Sequence, residues 1–166
     1  MHIVLLEPEI PQNAGNIART CAVTDVVLHL IKPLGFSVED KYLKRAGLDY
    51  WNLLDIRYYE NFEDFLTKNP DANLWMATTK AKHVYTDVVY GENDYIMFGK
   101  ESAGIPEEIL LQYPENSIRI PMLPVARSLN LSNAVAIVLY EALRQQGFPH
   151  MQQQGELHRH RWTEAE

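Results

Sequence analysis

Apolar residues in this chain fall in short runs separated by segments with helical spacing. Residues 2–7 (HIVLLE) read as a buried strand and residues 26–31 (VVLHLI) as a second. Residues 74–79 (LWMATT), 95–99 (YIMFG) and 117–120 (SIRI) read as further strands, with 56–59 (IRYY) as a candidate for another. Helical patterns lie between them. Residues 13–23 (NAGNIARTCAV) open with Asn13 as a cap, and 37–47 begin at Ser37 and stop at Gly47. The segment NFEDFLTKN has Asn61 and Asp64 in capping-box spacing, and PEEILLQY starts with Pro106 at its first helical position. The longest pattern runs from about residue 130 to 146 and stops at Gly147. Strands alternating with helices predict an α/β fold, a parallel sheet covered on both faces. There are no internal repeats and no low-complexity linker. Residues 1–149 are expected to form one domain. The remainder, residues 150–166 (HMQQQGELHRHRWTEAE), is polar with no clear apolar face and reads as an appendage, weakly ordered or helical.

Composition narrows the class. A length of 166 residues suits one domain with a sizeable core. No apolar run approaches the ~20 residues that span a bilayer. The N-terminal run is too short, and carries acid too early, for a signal peptide. Cys21 is the only cysteine, so no disulfide framework exists. These features predict a soluble, cytoplasmic protein without membrane attachment. The net charge of −7 argues by itself against nucleic acid as a partner. Charge is uneven, however. Lys41, Lys44 and Arg45 recur at helical spacing, and Lys80 and Lys82 form a second cluster. Each cluster is either a solvated face or a local phosphate contact.

The unusual residues collect where strands end. EPEIPQNAGNIAR follows the first strand, TTK follows LWMA, GKESAGIP follows YIMF, and PMLPVARSLNLSN follows SIRI. In an open parallel sheet, ligands bind beyond the carboxyl ends of the strands, so four such loops predict one site. Familiar motifs do not account for them. The first loop has only Gly15 where a dinucleotide fingerprint needs three glycines. A phosphate loop fails because Glu101 follows Lys100 and Asp94 stands at the first glycine position. The GKESAG spacing does not fit a hydrolase elbow. No metal set is evident: Cys21 has no thiol partner and suits the core, and His158 and His160 lie in the tail. Asn13 reads equally as a helix cap, and Asn16 and Arg19, three residues apart on one helix face, as surface residues. Glu101 could equally pair with Lys100 or Arg127. Spacing alone supports an α/β protein with a polar site for a nucleotide-like ligand.

Three segments taken together say more. NAGNIAR, FGKESAGIP and IPMLPVARSLNLSNAVAIVLYE resemble the three motifs of the SPOUT class of RNA methyltransferases. Within that class the chain resembles the TrmL (YibK-like) tRNA ribose methyltransferases, with KRAGLDYW between the motifs also similar and the likeness running to Gly147–Pro149. The resemblance implies a Rossmann-like parallel-sheet fold with a C-terminal trefoil knot, a homodimer packed through the long helix, and S-adenosylmethionine as methyl donor, leaving S-adenosylhomocysteine, with no metal. The implied substrate is the wobble nucleotide, cytidine or modified uridine at position 34, of leucine tRNAs; another tRNA or rRNA site, or a non-catalytic RNA-binding module, are the alternatives. Carried over by position, Ala77, Gly99, Gly104, Ile120, Met122, Ser128 and Leu129 would hold the cofactor. Arg19, Asn16, Glu101 and Asn130 would serve catalysis. Arg19, Lys44, Arg45 and Tyr140 would contact RNA. Asn133 or Ser132 would cap the long helix.

Overall fold

In the computed structural model, residues 1–37 and 54–162 are described. The predicted helix over 37–47, the KRAGLDYW segment and the Lys41, Lys44, Arg45 cluster therefore lie outside the described residues, apart from Ser37.

Among the described residues seven strands form one sheet in the order β3-β2-β1-β6-β4-β7-β5, all paired in parallel. They are β1 (His2–Leu6), β2 (Val27–Ile31), β3 (Ile56–Tyr59), β4 (Leu74–Ala77), β5 (His83–Val84), β6 (Tyr95–Phe98) and β7 (Ser117–Arg119). Among the described residues four helices accompany them: α1 (Pro11–Thr24), α2 (Phe62–Lys68), α3 (Glu107–Leu110) and α4 (Leu131–Gln145). The chain builds outward from β1 to β3, then crosses to the other half of the sheet. This reversal opens a crevice at the carboxyl ends of β1 and its neighbour β6.

Alternation along β1 sorts the core into two layers. Ile3 and Leu5 face α1 and α4, where Ile17, Cys21, Val138 and Leu139 are buried with them. Burial pushes the Cys21 thiol well above its ordinary value, which suits a packing role. Val4 and Leu6 face the opposite layer, with Ile31, Phe65, Met76, Met97 and Ile105.

The structure shifts several expected boundaries. The strands end earlier than their apolar runs, at Ala77, Phe98 and Arg119, because the following residues turn into the loops. β5 was not anticipated: it lies within the basic segment around Lys80 and Lys82 and is only two residues long. Asn61 caps α2 as expected, its side chain accepting from the Asp64 amide at 2.8 Å. α1 starts at Pro11, with Ile10 at the cap position and no side-chain cap, so Asn13 is an internal helix residue. On α4 one face is buried and the opposite face is exposed. Val135, Val138, Leu139, Ala142 and Leu143 are buried, whereas Asn133, Ile137, Tyr140 and Arg144 are exposed along the opposite face. Gly147 ends the helix region with φ 74°. In the tail, residues 151–162 carry no helix or strand, although Met151 packs against the first core layer.

A buried polar network crosses the second layer. His29 lies between His2, whose Nδ1 is 3.0 Å from His29 Nε2, and the Tyr59 hydroxyl, 2.8 Å from His29 Nδ1. Asn69 donates to that hydroxyl at 3.2 Å and accepts from the Tyr95 hydroxyl. Burial, then the neighbouring N-terminal amine and Arg57, lowers His2 to about 4; burial, then His2 and Arg57, lowers His29 to about 3, with Asp55 opposing in both cases. The folded state thus favours neutral rings. An unfolded histidine titrates near ~6.5, so between there and the folded values the unfolded chain binds more protons. The histidine contribution is intact above about 6.5 and is lost as pH falls toward 4 and 3. The expected result is a thermal midpoint that falls over this window. His29→Gln, which cannot titrate, should have a shallower slope; an unchanged slope would assign the acid sensitivity to other groups.

Candidate active site at the carboxyl edge of the sheet

Four loops, after β1, β4, β6 and β7, surround one cavity of about 570 Å³. Ala77, Gly99, Gly104, Ile120, Met122, Ser128 and Leu129 all line it, as do Glu101 and Asn130. Asn16 and Arg19 are not among the lining residues; both lie on the exposed face of α1. Tyr140 is likewise on the exposed face of α4, away from the cavity.

The loop after β6 is folded tightly on itself. The Gly104 amide donates to the Lys100 carbonyl at 2.8 Å, and Gly104 has φ 72°, a conformation suited to glycine. Gly99 abuts this turn so closely that a Cβ there would stand 2.2 Å from the Gly104 carbonyl carbon and the Ile105 nitrogen. The two glycines have separate reasons: one supplies a backbone angle, the other close approach.

Glu101 is held by donors from the first loop and from α1. Its Oε2 accepts from the Glu9 amide at 2.9 Å, and its Oε1 from the Ile10 amide at 3.2 Å and Asn13 Nδ2 at 3.0 Å. The sequence alternatives are thereby corrected: Lys100 pairs with Glu7 at 2.6 Å, and that bond raises its pKa. Glu101 also stands at the N-terminal end of α1, where negative charge is favoured and Ile10 offers no side-chain cap.

Asn13 is the site residue that sequence reading missed. It is buried and lines the cavity. A carboxylate only accepts, so Glu101 fixes Asn13 Nδ2 toward itself and leaves Asn13 Oδ1 to accept from Asn130 Nδ2 at 3.0 Å. Asn130 in turn directs Oδ1 to the amides of Ser132 at 3.0 Å and Asn133 at 3.3 Å, and to the Ser132 hydroxyl. The cap of α4 is therefore Asn130, not Ser132 or Asn133. One side chain performs both tasks, because its carbonyl serves the helix while its amide serves the cavity. The signal for Asn13 was its placement on the helix face shared with Ile17, a polar group where packing demands apolar ones.

These features are suited to a flat, partly polar ligand. Ile118, Ile120, Met122, Leu129 and Val138 provide apolar walls. Lys80, paired with Glu107 at 2.8 Å, stands at the rim. Among the described residues no group of three or more His, Cys, Asp or Glu side chains is arranged to hold a metal ion.

A crevice of this kind on a parallel sheet is the place where α/β proteins bind nucleotide-like ligands. Residues 1–140 match the SpoU rRNA Methylase family, and the chain belongs to that family. A protein of Listeria innocua (serovar 6a) is 54% identical over 150 residues, 89% of either chain. A Yersinia pestis protein named tRNA (cytidine(34)-2′-O)-methyltransferase is 50% identical over 155 residues, covering 90% of this chain and 96% of its own. Among solved structures, one described as concerning 2-OH methylation of C/U34 on tRNA superposes with a TM-score of 0.84 at 46% identity, covering 88% of this chain and 95% of the other. An AdoMet-bound rRNA methyltransferase from Sinorhizobium meliloti gives a TM-score of 0.77 at 26% identity, covering 86% of this chain and 55% of the other.

Proposed function

We propose that this chain transfers a methyl group from S-adenosylmethionine to the ribose 2′-hydroxyl of nucleotide 34, cytidine or a modified uridine, in leucine tRNAs. The observation that carries the reading is the convergence of the three motif loops on one cavity, joined by the Glu101–Asn13–Asn130 hydrogen bonds. The relatives named for cytidine 34 support the substrate. A tRNA-modifying role suits the cytoplasm, and no helix among the described residues is long and apolar enough to cross a membrane.

The fit of the cofactor is tested by the cavity itself. Apolar walls flank it, and Gly99 and Gly104 bring backbone groups close to its floor. Ala77, Gly99, Gly104, Ile120, Met122, Ser128 and Leu129 would hold the cofactor. When bound it supplies an electrophilic methyl on a sulfonium, leaving a neutral thioether, so the reaction requires no metal. The protein must orient the ribose hydroxyl and favour its loss of a proton. Arg19 serves as fixed charge, gripping a substrate phosphate and stabilising the developing alkoxide, with Asn16 orienting it. A guanidinium stays protonated and is unsuited to being a base. Glu101, already holding three donors, orders Asn13, and Asn130 fixes that side chain from the other end.

The position of Arg19 outside its own cavity is accounted for by a homodimer in which α1 of one protomer faces the cavity of the other. Its support is an exposed apolar surface spread over α1 and α4: Val23, Ile137 and Tyr140, on two helices packed side by side. Tyr140 remains a candidate RNA contact at the rim of this surface. The C-terminal trefoil knot belongs to the same reading, favoured by the insertion of β7 between β4 and β5. Residues 1–149 form the methyltransferase domain, and 150–166 an appendage outside the reaction.

Val138 is buried in its own protomer's core, so substituting it would report on folding rather than assembly. Ile137→Glu is the appropriate probe. Sedimentation should find a folded monomer without methyl transfer; a persisting dimer would contradict the proposed interface. RNA binding by a chain of net charge −7 should rest on few cations. Replacing both Lys44 and Arg45 by Ala should weaken tRNA binding and flatten its salt dependence, since fewer counterions are released. An unchanged salt slope would assign that cluster to a solvated face. The test of the function is transfer of label from S-adenosylmethionine: leucine tRNA should accept it, whereas acceptance by ribosomal RNA alone would favour the alternative within the same family.

A further inference from the structure

Glu9 takes no part in the chemistry proposed above, yet its surroundings are specific. Its two carboxylate oxygens accept from the Ser102 amide at 2.9 Å and the Ser102 hydroxyl at 2.8 Å. In the opposite direction, Glu101, the neighbour of Ser102, accepts from the amides of Glu9 and Ile10. Each loop therefore places a carboxylate on backbone donors of the other. Glu9 is also confined from behind: the Gly35 amide donates to the Pro8 carbonyl at 2.9 Å, and a Cβ on Gly35 would stand 2.6 Å from the Glu9 carbonyl oxygen. The Ser102 amide, then its hydroxyl, holds the Glu9 carboxylate below its ordinary pKa, as expected when hydrogen bonds favour the charged form.

We propose that Glu9 is a positioning residue: with Ser102 it completes a two-way clasp that fixes the cofactor loop, residues 99–104, against the loop that leads into α1. The inference rests on the methyl-transfer reading. Glu101 and the Lys100–Glu7 pair already tie residues 100 and 101 to the first loop, but neither reaches Ser102. The Glu9 carboxylate does. It joins the floor of the cavity to the helix that carries Asn13, one of the cavity's own lining residues, and so fixes the walls between which methyl donor and ribose are set. Methyl transfer is sensitive to the separation of the two. Glu9 is not a candidate base, because it does not line the cavity.

The role predicts a specific kinetic signature. In the full-length protein, Glu9→Gln and Ser102→Ala should each lower the single-turnover rate of tRNA methylation roughly tenfold, as expected for losing a charge-assisted hydrogen bond in the reactive geometry. Affinities for S-adenosylmethionine and tRNA should change less than about threefold. Ser102→Thr, which keeps the hydroxyl, should restore the rate. The double variant Glu9→Gln/Ser102→Ala should be no slower than the worse single one, because both act on the one Glu9–Ser102 pairing. Unchanged rates, losses that multiply, or a loss confined to binding would each overturn the proposal. Hydrogen exchange of the free protein gives an arm that needs no methyl transfer. Glu9→Gln should speed exchange both in residues 99–104 and in 9–13; faster exchange on one side only would refute the clasp. A wild type that exchanges as predicted but methylates no RNA would instead refute the reading on which the clasp's role rests.

Discussion

Gly99→Ala is expected to weaken cofactor binding by about 100-fold. The added methyl would stand 2.2 Å from two backbone atoms of the Gly104–Ile105 peptide, which cannot move aside as a flexible side chain would. The loop must open, and its Gly104 amide bond to the Lys100 carbonyl must be lost or lengthened. Overpacking against backbone costs on the order of 3 kcal/mol, which is a loss of about 100-fold in affinity if it falls wholly on the bound state. Calorimetry with S-adenosylmethionine measures it. Gly104→Ala provides the comparison: nothing lies within 4 Å of its Cβ position, so its penalty comes only from φ 72° and should be near ~1 kcal/mol. Equal effects at the two positions would contradict the distinction between close approach and backbone angle.

Arg19→Ala should lose about 3 kcal/mol or more of transition-state stabilisation, comparable to deleting an electrostatic donor from an active site. Arg19→Lys should retain partial activity, because lysine keeps the charge and loses the forked geometry. Cofactor binding should survive both changes, since the proposed place of Arg19 is on the RNA side of the site, against a substrate phosphate. If Arg19 acted instead as a general base, its loss would remove an ionisation from the basic side of the pH–rate profile. Single-turnover methylation across pH separates the two roles. Full activity of Arg19→Ala would remove the residue from the mechanism.

The strands and helices within the described residues were largely legible because their burial is local in pattern. β1 and β2 are apolar runs apart from His2 and His29, as expected for strands covered on both faces. The position of the site at the strand ends was legible for the same reason, since polar residues cluster only where strands stop. Strand order was not. Nothing in SIRI indicates that β7 inserts between β4 and β5. Asn13 and Asn130 show a different limit. Asn13, read as a cap, lies inside its helix because Pro11 begins α1 two residues earlier, and the α4 cap expected at Ser132 or Asn133 is Asn130. What distinguishes Asn13 is a carboxylate 88 residues away in sequence, which local pattern cannot reveal. The apolar content of α4 likewise predicted burial without direction. One face fills the protomer's core, and the face bearing Ile137 and Tyr140 stays exposed.

The most direct test of the account is to locate the methyl group. Leucine tRNA incubated with the protein and S-adenosylmethionine, digested and sequenced by mass spectrometry, should gain one methyl on the ribose of nucleotide 34 and none on a base. A methyl group at another nucleotide, on a base, or absent altogether would contradict it.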